Sequence, residues 1–431
     1  MKRSAIAVLA ICMAFTATAC GNIGRPDPKT ITKKSGSDTV STESKITTDE
    51  EDITVDVSSE PDVEVVPEVY SPEDDTEAFV DATMKNMTLE EKVGQLFFVR
   101  ADALETGFEA SVVNNDDIGG VTFVDKMMED ALDKYHVGGV QLFEKNIVDE
   151  EQLKKMTADL QDKSALPLFI GVEEIGGDYA PVANNMNFNV ELFDNMNVIG
   201  ASASEDKAKS MGKAIGGYLV SYGVNVDFAP VADVSVSSDS VSDSNFSAEP
   251  LIAASLVKAE IDGLHEGGVM TAVNHFPNYA DGNANTDKVL NNGNSWEYML
   301  DNELLPYINI LDTTDMLMVG HVDLPSVVSD GWPASMSQDL IEGKVRGELG
   351  YDGVIITDSM SAKSVRKNYV QRECAVEAII AGADIVLTPY DLDEAFDSVM
   401  KAVEDGKISE GRIDESVKRI LTLKAENGLF G

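Results

Sequence analysis

Cysteine is scarce in this chain: three residues in 431. Cys12 and Cys20 fall in the first twenty positions, so Cys374 stands alone in the body and no disulfide framework can be built. Its setting, QRECAVEAIIAGA, reads as a helix with the thiol in a small core position. Histidine is nearly as rare, at four, and neither residue type recurs at metal-ligand spacing, so no metal is expected. Positive charge is short as well. Thirty-three Lys and Arg face 76 Asp and Glu, a formal net charge of −43, which excludes nucleic acid as a partner because phosphate contacts need basic patches. No apolar run reaches the roughly 20 residues that cross a bilayer. No dinucleotide-type glycine fingerprint follows a strand, and Gly176-Gly177 reads only as a turn.

What is present begins with a leader. Lys2 and Arg3 precede an apolar stretch from Ala5 to Phe15, then the small residues Ala17, Thr18 and Ala19, then Cys20. This is the pattern of a secretory signal. A cysteine directly after the small residues is similar to a bacterial lipobox, which implies cleavage before Cys20 and a lipid on its thiol. Residues 1–19 are therefore expected to be a lipoprotein signal and 20–75 a tether. From Asp49 to Glu77 there are 13 acidic residues and no Lys or Arg. Such a segment buries too little apolar surface to offset its ordering entropy and extends by self-repulsion. The expected location is extracytoplasmic, anchored to a bacterial membrane.

Residues 76–431 alternate between apolar β-branched runs and helical periodicity. Strands are expected at Gly139–Phe143, Leu168–Val172, Val224–Ala229, Val269–Asn274, Met316–Val319, Val354–Thr357 and Asp384–Thr388. Helices are expected at Asp149–Gln161, Lys207–Tyr222, Leu251–Glu266, Trp296–Leu311, Gln338–Leu349, Val370–Ala381, Asp391–Glu404 and Asp414–Asn427. Repeated β-then-α order predicts parallel strands with right-handed crossovers. The fold class is α/β, a (β/α)8 barrel with one irregular or upstream strand besides the seven visible.

Asp358 falls where the run Val354–Thr357 ends. In such a barrel, residues at strand C-terminal ends face the site, which makes this carboxylate a candidate nucleophile or general base. It is equally placed to cap the following helix.

The ordered segments resemble glycoside hydrolase family 3, within it the β-N-acetylhexosaminidase branch. They include MTLEEKVGQLFFV at Met87–Val99, GGVQLFEKNIVDEEQLKKMTADLQ at Gly138–Gln161 and PLFIGVEEIGG at Pro167–Gly177. They continue with YGVNVDFAPVADV at Tyr222–Val234, NHFP at Asn274–Pro277, MLMVGHVDLP at Met316–Pro325 and YDGVIITDSMSA at Tyr351–Ala362. The resemblance implies retaining hydrolysis of β-linked amino sugars without a cofactor: a carboxylate attacks the anomeric carbon, and a second group protonates the leaving oxygen and later activates water. Asp358 stands at the family's nucleophile position. The implied partner is a glycan, with peptidoglycan fragments the natural choice.

The departures sit at ligand positions. The family's Lys-His-Phe-Pro-Gly-His-Gly reads Asn274-His275-Phe276-Pro277-Asn278-Tyr279-Ala280. Its Asp-Ser-His, which carries the acid/base dyad, reads Asn285-Thr286-Asp287. Its Asp-Gln-Glu-Gly-Gly-Arg reads Glu173-Glu174-Ile175-Gly176-Gly177-Asp178, and its Arg-Ser-Phe reads Ser244-Asn245-Phe246. Two readings follow. In one, the enzyme is rewired, with Asp287 or Asp281 as acid/base and Glu173, Asn274, His275, His321 and Tyr279 around the sugar. Tyr279 is then a stacking surface, and His321 either lines the pocket or is a wall residue. In the other, catalysis is lost and the domain binds a cell-wall glycan or a protein. His136, His265, Trp296 and Trp332 are expected to be structural.

Overall fold

The computed structural model describes Ser71 and residues 75–430, apart from 236–240, 281, 283 and 284. Cys20, the leader and nearly all of the tether lie outside the described residues. The compact unit runs from Pro67 to Gly431. Among the described residues no helix is long and apolar enough to cross a membrane.

Eight parallel strands form one barrel: β1 Phe97–Arg100, β2 Gly139–Gln141, β3 Phe169–Val172, β4 Val226–Asp227, β5 Met270–Phe276, β6 Met316–Val319, β7 Val354–Thr357 and β8 Val386–Leu387. Each pairs with its sequence neighbours, and β8 returns to β1 through Phe97↔Val386. The last seam, β7 to β8, closes through a parallel bridge between Ile356 and Ile385. The strand not visible by periodicity is β1. Its four residues are all buried, as in β3, β6 and β7, but it alone follows directly on a helix, Leu89–Gln95, with no turn residue to mark its start.

Phe98 shows why the barrel interior is a packed core. Its ring lies 5.2 Å from Phe228 edge-on and 6.3 Å from Phe169. Room for it comes from the flanking strands: a Cβ on Gly139 would lie 2.8 Å from the Phe98 ring, and one on Gly171 would lie 2.7 Å from Phe228. Aromatic burial of this kind contributes roughly 1.5–3 kcal/mol per side chain.

Two helical expectations change, and one short helix is added. Trp296–Leu311 is two short helices, Trp296–Asp301 and Leu305–Ile308, because Pro306 lacks the N–H that a continuous helix needs. Residues 339–346 of the expected Gln338–Leu349 helix wind as a π-helix. The stretch after Asp358 forms a separate turn of helix, Lys363–Asn368, before Gln371–Ala381.

A buried acidic cluster links the wall to the barrel. Glu174, Asp227 and Glu260 are all fully buried. Glu174 accepts from Val182 N, Ala183 N and the Tyr218 hydroxyl at 2.8 Å each. Asp227 Oδ2 and both Glu260 oxygens find no donor. Burial pushes all three carboxyls up, Glu174 to about 7 and the other two well above the usual range. The folded state therefore holds protons that the unfolded chain releases above about pH 4, so this cluster's contribution to stability falls as pH rises from there. Glu260→Met is expected to stabilise the fold at pH 7 by about 1–3 kcal/mol, the scale of a buried unsatisfied polar group. The gain should shrink towards pH 4 when urea midpoints are compared across pH.

Candidate active site

The C-terminal ends of the strands meet in a cavity of about 740 Å³. Arg100 ends β1, Gln141 ends β2, Glu173 follows β3, Asn274 and His275 lie in β5, and Asp358 follows β7. These ends converge because every strand of a parallel barrel points the same way.

Asp358 is not a helix cap. The helix that follows starts at Lys363, and its cap position, Ala362, makes no side-chain bond. Instead both carboxylate oxygens are fixed at the mouth. Oδ1 accepts from the Ser359 N–H at 2.6 Å, and Oδ2 accepts from the Tyr279 hydroxyl at 2.7 Å. The Tyr279 oxygen in turn accepts from His321 N at 2.5 Å.

Tyr279 is therefore not an open stacking platform. It is 5% exposed, its ring stacks on His275 at 4.5 Å, and a Cβ on Gly320 would lie 2.7 Å from it. Burial and the neighbouring Asp358 carboxylate push its phenol well above the ordinary value, so it stays a donor. His321 is fully buried behind it and does not line the cavity. Its Nε2–H donates to Ser359 O at 3.0 Å, which leaves Nδ1 to accept from the Ser335 hydroxyl at 2.7 Å. Burial keeps this imidazole neutral, and it is a wall residue.

His275 does face the cavity. Its Nδ1 lies 3.0 Å from Asp233 Oδ2. Burial opposes its protonation, but Asp233, Asp358 and Glu173 together outweigh that and raise it to about 9. At neutral pH it is an imidazolium. Asp233 is itself held by the Tyr307 hydroxyl at 2.6 Å and Tyr279 N at 3.0 Å. Asn274 is nearly fully buried and donates to Phe228 O at 2.8 Å, while its Oδ1 has no donor. Glu173 opens into the cavity yet sits deep in the barrel mouth. Loss of hydration pushes its carboxyl up, His275 pulls it down, and Asp358 pushes it up again.

The loop after β5 is arranged differently from the expectation for Asp287. That carboxylate does not line the cavity; it pairs with Lys363 at 2.6 Å. The Lys363 bond lowers its pKa, whereas a proton donor needs the opposite. Asp281 lies outside the described residues.

Among the cavity residues not singled out from sequence are Asp233, Gln141 and Arg100. Asp233 closes the quoted motif YGVNVDFAPVADV, where a carboxylate six residues past a strand is a usable signal. Gln141 ends a strand read correctly, but a glutamine carries no distinctive pattern. Arg100 ends the strand that periodicity missed. Its guanidinium pairs with Asp116 at 2.7 Å and lies 3.7 Å over the Phe143 ring. The residues expected to be structural do not line the cavity: Trp296 donates to Glu348 at 2.5 Å, Trp332 packs on Tyr369, and His265 bonds Asp315 at 2.7 Å.

A parallel eight-stranded barrel with carboxylates gathered at its C-terminal mouth defines the class of the protein, and comparison with known proteins gives the family. Residues 88–423 match the glycosyl hydrolase family 3 N-terminal domain, and the chain belongs to that family. It is 27% identical over 383 residues to beta-hexosaminidase A of Pseudoalteromonas piscicida, covering 81% of this chain and 63% of that protein. With beta-hexosaminidase LpqI of Mycobacterium tuberculosis it shares 25% identity over 311 residues, 68% of this chain and 77% of the relative. The structure of a family 3 beta-N-acetylglucosaminidase from Paenibacillus sp. superposes with a TM-score of 0.71 at 30% identity, covering 80% of this chain and 64% of that one. The chain thus spans just under two thirds of the first of these relatives and of this structural neighbour.

Proposed function

We propose that this protein is a retaining β-glycosidase acting on terminal β-linked hexosamine residues, with Asp358 as the nucleophile. The observation that carries the reading is the fixing of both Asp358 oxygens, by Tyr279 and by Ser359 N, at the mouth of the family 3 barrel. Asp358 attacks the anomeric carbon as the bond to the leaving oxygen breaks, which gives a glycosyl ester; water then cleaves that ester. His275 and Glu173 hold the sugar. The leaving oxygen takes its proton from the loop after β5. Asp281 is the better candidate, because Asp287 is held ionised by Lys363.

The test is turnover of p-nitrophenyl β-glycosides, with the anomer of the first-formed product read by NMR and Asp358→Ala as control. Net retention with loss of turnover in the variant supports the reading. Clean folded protein that binds glycan but turns over nothing favours a non-catalytic domain. Asp281→Asn and Asp287→Asn separate the proton donors: loss of the donor should cost about 10²–10⁴-fold on a poor leaving group and much less on p-nitrophenolate, which leaves without a proton. Tyr279→Phe removes one hydrogen bond to the carboxylate and is expected to lower kcat by about 10- to 100-fold, the scale of a hydrogen bond to a charged group.

The leader supports lipidation at Cys20 and display of the barrel on an acidic tether, where peptidoglycan fragments are the glycan at hand. Cys20→Ser should then move the protein from the membrane fraction to the soluble one.

A further inference from the structure

Next to the cavity that holds Asp358 lies a side lobe of about 280 Å³. Its walls carry three carboxylates, Glu144, Glu173 and Asp178, and two aromatic rings, Phe143 and Tyr179. No Lys or Arg lines it among the described residues. Gln141, Phe143, Glu173 and Tyr179 line both the lobe and the main cavity, so the two are adjacent.

The acceptors here lack donors. Glu173 has no hydrogen-bond or ion-pair partner among the described residues. Gln141 Oε1 and, in the main cavity, Asn274 Oδ1 are buried acceptors with no donor. Asp178 takes only a 3.2 Å bond from Asn195 Nδ2. Of the nearby cations, Arg100 pairs with Asp116 at 2.7 Å and His275 with Asp233 at 3.0 Å, while Arg366 lines the main cavity but not the lobe and lies over the Tyr390 ring. Three positions where the family pattern carries a cation read Asn274, Ser244 and Asp178 in this chain. The three carboxylates are open to solvent and gather negative charge around the lobe, while the buried Gln141 and Asn274 oxygens are costly unless a ligand supplies donors. An ammonium group supplies donors and positive charge, and the exposed ring of Tyr179 favours it further.

We infer that the lobe receives a free ammonium group on the substrate's non-reducing sugar, so that the preferred substrate is a β-linked hexosamine with an unacetylated amine. Glu173 is its principal contact, and Asp178 and Glu144 supply longer-range attraction that salt weakens. This rests on the glycosidase reading above.

The experiment compares kcat/KM of the full chain for the p-nitrophenyl β-glycosides of glucosamine, N-acetylglucosamine and glucose. The amine is expected to lead by about tenfold or more, a margin that falls with added salt. Glu173→Gln should lose most of that margin through a higher KM for the amine, and Asp178→Asn a smaller part. Equal or better turnover of the N-acetyl sugar, with Glu173→Gln slowing all three alike, would overturn the inference while leaving the glycosidase reading intact. If no glycoside is turned over, the glycosidase reading falls. Calorimetric titration with free glucosamine then decides the lobe separately: Glu173-dependent binding, absent for N-acetylglucosamine, supports it, and no binding or equal binding of both sugars refutes it.

Discussion

Asp384→Ala is expected to lower the stability of the barrel by about 3–5 kcal/mol, the scale of removing one partner from a buried charge network. Asp384 is fully buried just before β8. Its Oδ2 accepts from Arg346 Nη2 at 2.7 Å and from the Ile355 N–H at 2.9 Å. Its Oδ1 accepts from the Ser416 hydroxyl at 2.7 Å and from Arg419 Nη1 at 3.1 Å. The bond to Ile355 crosses the β7–β8 seam, where the barrel closes on little more than one ladder bridge. Removing the carboxylate leaves Arg346, buried and short of hydration, beside Arg419 without the carboxylate that pairs with both. Asp384→Asn keeps the shape and some of the hydrogen bonds and should cost less. Urea denaturation at fixed m-value reads the difference, and a midpoint within experimental error of the wild type for the alanine variant would refute this account of the seam. Against a typical domain stability of about 5–15 kcal/mol, the loss is severe.

Asp358→Ala carries the largest effect on activity, on the order of 10⁴–10⁶-fold in kcat, as found when a covalent nucleophile is deleted. The argument is geometric as well as chemical. The alanine leaves a small space beside the Tyr279 hydroxyl and the Ser359 N–H, both of which had donated to the carboxylate. Azide, a small anionic nucleophile, can occupy that space. Its terminal nitrogen then attacks the anomeric carbon from the face opposite the leaving group, p-nitrophenolate departs with the bonding electrons, and the product is the α-glycosyl azide. Restored p-nitrophenolate release with that product is the expected result. Activity within tenfold of wild type in Asp358→Ala would move the nucleophile elsewhere.

Most of the architecture was legible because the barrel writes a local code: short buried runs, helical stripes, and carboxylates or amides where runs end. The gaps have physical causes. Strand β1 runs on from the helix Leu89–Gln95 with a single residue between them, so no turn signal marked where the apolar run became a strand. The Trp296–Leu311 stretch kept its apolar pattern across Pro306, and the break came from the missing N–H. At the site, residue type and motif located Asp358, Glu173, Asn274 and His275 at the cavity, since each stands in or directly after a strand. They did not tell which way Tyr279 and His321 face. That depended on Gly320 leaving room for the tyrosine ring and on the His321 amide reaching its oxygen.

The sequence by itself determined the alternating fold, the strongly acidic charge balance, the place of Asp358 at a strand end and the loss of the family's cations. Only the tertiary structure decided how those pieces combine. It brought Tyr279 from the β5 loop onto an Asp358 oxygen, drew Asp287 out to Lys363, and set Glu144, Glu173 and Asp178 around one lobe without a basic residue in its lining. The reason is that pairing and charge balance depend on distances between residues far apart in the chain. Those distances are set by barrel closure and side-chain packing, which no local pattern encodes.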